Sequence, residues 1–357
     1  MTYAVIMAGG IGSRFWPMSR RETPKQFLGL LAEDTLIQST LARLHGIVEP
    51  EQCYVVTNER YVEQTHMQLP SLPIENILAE PISRNTAPCI TYSAMKLFEN
   101  DPDAIMIVLP ADHVIRNVKQ FQKDLRVAVE AARKEGGLLT IGIEPTHAAT
   151  GYGYIQYDTG DANGDMLAPY RVKTFAEKPN QATAERFIDS GDFLWNSGMF
   201  IWRAESILDA VNKHLPKVAD AFSILKRKLG TKGEKKALRD AFAACPSISI
   251  DYGVMERAEK VYVVPGSFDW SDVGDWRAVY DLREKGKHGN SISGNAIVHN
   301  SSGCLICADE RLIVLIGIHD AVVVDTKDAT LICHTDSTQQ VKNVVDYLYA
   351  NQLDDFV

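Results

Sequence analysis

A short apolar run at residues 3–7, Tyr-Ala-Val-Ile-Met, empties directly into Ala8-Gly-Gly-Ile-Gly-Ser-Arg-Phe-Trp-Pro17. An unbroken apolar run of this length reads as a parallel strand buried on both faces. Glycines after it permit positive φ and let the backbone approach a ligand closely. Amides in such a loop can bind phosphate oxygens. The side chains agree, since Arg14, Arg20, Arg21 and Lys25 stand against Glu22 alone. The whole chain has 37 Lys+Arg against 46 Asp+Glu, a net charge of −9, so this is a local basic island. An acidic chain without a basic tail is a poor nucleic-acid binder.

The same pattern continues along the chain. With 357 residues there is room for about two domains. Strand-like runs at 53–56, 77–79, 104–109 and 137–143 alternate with helical spacing at 35–44, 86–98 and 118–134, the rhythm of a doubly wound α/β domain. Residues 154–157 and 170–176 read as inserted antiparallel strands, and 182–190 and 204–214 as helices. Residues 222–244 read as an exposed, Lys/Arg-rich helical pair, with a strand at 260–264. Beyond residue 288 short strands recur at 296–299, 304–307, 312–316, 321–324 and 330–333, followed by a helix at 338–349. The division expected is a mostly parallel α/β domain at 1–288 and a β-rich, β-helix-like domain at 289–357.

Several function classes drop out. The phosphate-loop pattern GxxxxGK[ST] is absent, and the dinucleotide pattern fails at Phe15 and at Thr57-Asn58, where an acidic residue is needed. No apolar run approaches the roughly 20 residues of a membrane span. No signal peptide is evident. Six cysteines are too few for a disulfide scaffold, and reduced thiols in a cytoplasmic protein are expected. Cys304-x-x-Cys307 with Cys333-His334 invites a zinc reading. Positions three apart on a strand point to opposite faces, so buried structural cysteines are the better reading.

Gly9-Gly-Ile-Gly-Ser-Arg-Phe-Trp-Pro17 with Pro24-Lys-Gln-Phe27 resembles the signature of the sugar-phosphate nucleotidyltransferases, in the form of the mannose-1-phosphate guanylyltransferase branch. Further blocks agree in order: Glu80-Pro-x-x-Arg-Asn-Thr-Ala-Pro88, Leu109-Pro-Ala-Asp-His113, Thr150-Gly-Tyr-Gly-Tyr-Ile155, Phe175-Ala-Glu-Lys-Pro179, Trp195-Asn-Ser-Gly-Met-Phe200, Ser249-Ile-Asp-Tyr-Gly-Val-Met-Glu256 and Trp270-Ser-Asp-Val-Gly274. The resemblance implies a nucleotide-diphospho-sugar transferase fold and a reaction between GTP and mannose 1-phosphate that yields GDP-mannose and pyrophosphate. It also implies Mg²⁺ as cofactor and a homodimer. Asp275 stands where relatives carry a small hydroxyl residue, with no change in chemistry expected. Longer relatives append a cupin-type isomerase domain. These residues carry no such pattern, and no isomerase activity is expected.

The implied sites are these. Gly9, Gly10, Gly12 and Ser13 would line the phosphates. Arg14 and Lys25 would clamp the triphosphate, and with Asp112 they form the catalytic set. Asp112 follows a strand's carboxyl end, and with Asp272 it would hold the metal, since Mg²⁺ takes one or two carboxylates plus phosphate oxygens. Glu80, Arg84, Asn85 and Thr86 lie on a loop entering a helix and could read guanine, with helix capping by Asn85 or Thr86 as the rival explanation. Gly153, Glu177, Lys178 and Asn196 would take the sugar phosphate, although Glu-Lys-Pro and Asn-Ser-Gly are also ordinary turn sequences. Asp251 and Glu256 read as a helix start. Two rival functions remain: another nucleotide and sugar pair, and a catalytically silent GDP-sugar-binding subunit.

Overall fold

The computed structural model describes residues 1–158 and 169–357. The chain forms two compact units that do not follow chain order. One comprises Met1–Gly9, Thr40–Ala111 and Ile115–Trp270, and the other Gly10–Ser39, Asp112–Val114 and Ser271–Val357. No helix among the described residues is long and apolar enough to cross a membrane.

The first unit is an α/β structure on a nine-stranded sheet. Its strands are β1 (Thr2–Ala8), β2 (Cys53–Asn58), β3 (Ile77–Glu80), β4 (Ile105–Pro110), β5 (Leu138–Ile143), β6 (Gly153–Tyr157), β7 (Tyr170–Glu177), β8 (Phe193–Arg203) and β9 (Val261–Gly266). Their order is β3-β2-β1-β4-β8-β5-β9-β7-β6, with β8 also pairing β6. Strands β1 to β4 are mutually parallel, the Rossmann-like part. Ala4, Val5 and Ile6 of β1 are fully buried, as a central parallel strand requires. β9 is parallel to β5, and the pair β6–β7 is antiparallel, as the sequence suggested.

Two expectations need correction. The eleven-residue strand β8, antiparallel to both β4 and β5, was not expected. Its Asn196-Ser-Gly198 segment reads as a turn but is an irregularity inside the strand, where the β5–β8 register shifts and Gly198 takes φ +69°. The helical pair around 222–244 is not simply exposed. Its helices, Pro216–Lys226 and Glu234–Ala244, turn Val218, Phe222, Leu225, Leu238 and Phe242 into the main apolar core. The Lys/Arg count describes only their outer faces, because one amphipathic helix carries both.

The second unit contains β10 (Ser291–Ser293), β11 (Ala296–His299), β12 (Leu305–Cys307), β13 (Ile313–Ile316), β14 (Ala321–Asp325) and β15 (Thr330–His334). β10, β12 and β14 form one parallel ladder, and β11 and β13 a second. Alternate strands along the chain thus stack in two ladders, which makes β-helical coils. β15 closes the first ladder in antiparallel fashion. Residues 335–340 form a 3₁₀ turn, so the final helix runs Val341–Ala350 and starts later than expected. Cys304 and Cys307 enter two different apolar clusters, which fits structural thiols.

The core of this unit explains why the glycine-rich loop belongs to it. Phe15, Trp16, Leu28 and Leu30 pack with Trp276, Val279, Leu305, Val322, Val324, Val341 and Val345. The Trp16 indole Nε1 donates to the Phe356 carbonyl at 2.7 Å, and the Trp276 Nε1 donates to the Trp16 carbonyl at 3.1 Å. The aromatic half of Arg-Phe-Trp-Pro is therefore an anchor. It ties the loop to the β-helical segment and leaves Arg14 exposed.

Candidate active site

In the second unit the loop turns through Gly10 at φ +94° and Gly12 at φ +75°, both left-handed positions that favour glycine. Ser13–Phe15 follow as a 3₁₀ turn. The Lys25 backbone N–H donates to the Ile11 carbonyl at 3.1 Å, which joins the glycine block to the Pro-Lys-Gln block. A Cβ on Gly12 would overlap the Lys25 side chain. Glycine at 12 is thus required twice, by its backbone angle and by the lysine stem lying across it.

Lys25 is the hub of this region. It is only 5% exposed, and its Nζ lies 5.2 Å from the centre of the Phe15 ring. The ammonium donates to Asp112 Oδ2 at 3.1 Å and to the Asp272 backbone carbonyl at 2.8 Å. Three residues predicted from separate motifs therefore meet at one nitrogen. Burial alone would raise the Asp112 carboxyl, but the Lys25 ammonium, helped by His113, holds it below the usual carboxylate range. An ionised carboxylate with a second aspartate close by is a donor set that fits a hard divalent cation. Val273, next to Asp272, is fully buried with φ +46°, a strained conformation for a β-branched residue. Strain of this kind collects at functional sites, and nothing in the sequence signals it.

Arg20 is used elsewhere. Its Nε donates to the Pro17 carbonyl at 2.6 Å, and its Nη2 pairs with Asp328 at 3.0 Å. Asp275 caps the helix Trp276–Leu282 by accepting from the Ala278 N–H at 3.1 Å, and its other oxygen accepts from the Gln339 amide. A small hydroxyl residue can make the same cap, so the two residue types can serve the same helix start.

In the first unit the predicted residues fall in two groups, and the second of them comes together in contact. The first lies after β3. Glu80 is 5% exposed, and its Oε1 has no hydrogen-bond partner. Burial pushes its carboxyl up to about 8, against the opposing pull of a hydrogen bond with Cys89. Asn85, at φ +68°, caps the helix Thr86–Asn100, its Oδ1 accepting from the Thr86 N–H at 2.8 Å. The Thr86 hydroxyl accepts from the Ile250 N–H at 2.9 Å. Arg84 donates from Nε to the Phe242 carbonyl at 3.0 Å and from Nη2 to the Ala243 carbonyl at 3.2 Å. These are the last carbonyls of a helix, where a cation is favoured.

The second group lies around β6, β7 and β8. Gly153 pairs Glu177 across the antiparallel ladder. A Cβ on Gly153 would overlap Glu177 Oε2 and lie 3.2 Å from Asn196 Cβ. Lys178 takes φ +49° and pairs its Nζ with Glu177 Oε1 at 3.1 Å. The Asn196 Oδ1 accepts from the Thr140 hydroxyl at 3.1 Å and from the Gly198 N–H at 3.2 Å. Its Nδ2 donates to Asp251 Oδ1 at 2.8 Å. The Glu256 Oε1 accepts from the Glu177 N–H at 3.3 Å. All four sugar-phosphate candidates thus converge. Thr140 joins them with no sequence signal beyond its place in an apolar strand. Asp251 and Glu256 do not sit at an ordinary helix start, because Asp251–Met255 is a π-helical turn. The Tyr152 ring meets Trp195 at 5.0 Å and Trp270 at 5.4 Å, giving an aromatic wall nearby.

A family model described as nucleotidyl transferase matches residues 3–288, and one described as a MannoseP isomerase/GMP-like beta-helix domain matches residues 294–348. The chain is 42% identical over 361 residues to the mannose-1-phosphate guanylyltransferase of Klebsiella pneumoniae, covering 100% of this chain and 76% of that protein. It is 41% identical over 349 residues to the alginate biosynthesis protein AlgA of Pseudomonas aeruginosa, covering 96% and 71%. A crystal structure described as mannose-1-phosphate geranyltransferase from Thermus thermophilus superposes with a TM-score of 0.86 at 34% identity, covering 98% and 99%. The glycine-rich loop, the Lys25 hub and the full-length likeness agree: this chain belongs to the nucleotidyl transferase family, among the mannose-1-phosphate guanylyltransferases.

Proposed function

We propose that the chain transfers GMP from GTP to α-D-mannose 1-phosphate by direct attack, with Arg14, Lys25 and Asp112 as its catalytic residues. An oxygen of the sugar phosphate forms a bond to the α-phosphorus of GTP, and the bond from that phosphorus to the bridging oxygen breaks, releasing pyrophosphate. The attacking oxygen is already anionic near neutral pH, so no general base is needed. The work left for the protein is positioning and charge neutralisation. The observation that carries this reading is the Lys25 ammonium between Asp112 and the Asp272 carbonyl.

Gly9, Gly10, Gly12 and Ser13 offer the phosphates a loop opened by two left-handed glycines. The exposed Arg14 supplies a forked cation, and Lys25 a buried point charge. Asp112 and Asp272 would hold Mg²⁺, which when bound offsets phosphate charge. Glu80, Asn85 and Thr86 read the base, while Arg84 supports their loop. Gly153, Glu177, Lys178 and Asn196 receive the sugar and its phosphate. The division at residue 288 separates the segment bearing these motifs from the β-helical segment. A homodimer is supported by the outer face of β11 and β13, where Ile297, Val314 and Ile316 are half or more exposed. A cytoplasmic location fits the six free thiols.

The test is pyrophosphate release by purified protein with Mg²⁺, GTP and mannose 1-phosphate, set against other nucleotides, other sugar 1-phosphates and other divalent ions. Release with this pair and its loss in Asp112→Ala is the expected result. GDP-mannose binding without turnover would instead favour a silent regulatory subunit. Sedimentation of Ile316→Lys beside the parent chain checks the dimer.

A further inference from the structure

Asp251 has a position that the catalytic set does not use. It lies in the π-helical turn Asp251–Met255, and its carboxylate faces polar groups from two other segments. From β8 comes the Asn196 amide, donating at 2.8 Å. From the end of β7 come the Glu177 carboxylate, which repels it, and the Lys178 ammonium, which attracts it. Glu256, at the end of its own turn, accepts the Glu177 N–H. Two carboxylates therefore share a half-buried setting, with a single lysine paired to one of them. Such an arrangement is short of donors. A sugar ring offers hydroxyl donors on adjacent carbons, one for each carboxylate. Gly153 makes room for the Glu177 carboxylate itself, since any Cβ there would overlap it and push it out of place.

We propose that Asp251 is a further sugar-contacting residue, which together with Glu177 forms a carboxylate pair that receives two hydroxyls of the mannose ring. The proposal rests on the transferase reading above and adds to it the group that recognises the sugar. Burial first and Glu177 second push the Asp251 carboxyl up to about 6, while the Asn196 hydrogen bond and Lys178 oppose the shift. A raised carboxyl works against the fold once ionised. Its contribution to stability is present below the unfolded carboxyl range and is lost as pH rises through about 6.

The experiment measures calorimetric binding of GDP-mannose and of GDP, with melting temperatures, for the parent chain, Asp251→Asn and Glu177→Gln. GDP lacks the sugar and serves as the internal control. GDP-mannose is used because its diphosphate does not titrate near pH 6. Asp251→Asn should weaken GDP-mannose by about ten- to a hundredfold, the worth of a hydrogen bond to a charged group, and leave GDP unchanged. It should also raise the melting temperature at pH 8, where the ionised carboxylate works against the fold. In the parent, GDP-mannose affinity should fall as pH drops through about 6, and in Glu177→Gln that fall should move to lower pH, because a repelling neighbour is gone. Unchanged GDP-mannose affinity in Asp251→Asn, or equal losses for GDP-mannose and GDP, overturns the proposal. A parent that binds GDP-mannose but does not turn over removes the proposed reaction and leaves Asp251 to be judged by its variants. A parent that binds neither removes both.

Discussion

The polar clusters of the two units use carboxylates in opposite ways. Around Lys25, an ammonium outweighs burial and holds Asp112 low. Around Asn196, burial and a second carboxylate hold Asp251 high. The first arrangement keeps a permanent pair of opposite charges, suited to phosphates and a divalent cation. The second concentrates acceptors, suited to neutral hydroxyls. The two clusters thus differ in electrostatic character, and the sign of the neighbouring charge makes the difference.

The contrast breaks most directly at Lys25. Lys25→Ala should lower the rate of pyrophosphate release by about 10²–10³, the range for losing one preorganised donor to a developing charge. GDP-mannose binding should fall far less. If binding falls as much as the rate does, Lys25 holds the ground state and the contrast between the clusters weakens.

Gly153→Ala should come next. The new methyl overlaps Glu177 Oε2, so the carboxylate must move. An increase of about tenfold in KM for mannose 1-phosphate is expected, with KM for GTP near that of the parent, because displacing a positioning group is felt locally. A parallel rise in both constants would mean that the two clusters do not act separately.

Glu80 extends the comparison, as a carboxyl raised by burial without a repelling neighbour. Its contribution to stability is lost as pH rises through about 8. Glu80→Gln should therefore melt higher than the parent at pH 9 and close to it at pH 6. Melting curves at the two pH values check this, and a constant gap would contradict it.

The smallest effect is expected at Asp275→Ser. The cap to the Ala278 N–H survives and the bond to the Gln339 amide is lost. A loss of stability of about 1 kcal/mol, with unchanged turnover, is the expected outcome of denaturant unfolding and a kinetic assay. A large loss of activity would show that the departure at this position is not silent.

Much of this was legible in the residues. The strand 3–7, its glycine loop and the following βα rhythm are local patterns, and local patterns survive into the fold. Seven spaced blocks after the signature pointed to the family, and within the units some of their residues meet, Lys25 with Asp112 and Asp272, and Gly153 and Glu177 with Asn196. Less legible was anything whose meaning depends on a distant neighbour. Asn196-Ser-Gly198 has turn chemistry, yet the pairing of β8 with β6 before it, β5 beside it and β4 after it draws it into a strand. The helices around 222–244 carry many surface cations, and only the core beneath shows that one face of each is apolar. Asp251 looked like a helix start because its partners lie 55 and 74 residues away in the sequence, at Asn196 and Glu177.

The sequence by itself determined the strand-to-glycine junction, the basic island, the family and the candidate residues, because residue type and spacing act over short stretches of chain. Tertiary structure decided which of those residues meet. It joined the glycine loop to the β-helical segment through Phe15 and Trp16, brought Lys25 to Asp112, and set Asp251 against Glu177. The physical reason is that burial and the charge of a neighbour fix how a carboxyl behaves, and both are properties of the folded chain.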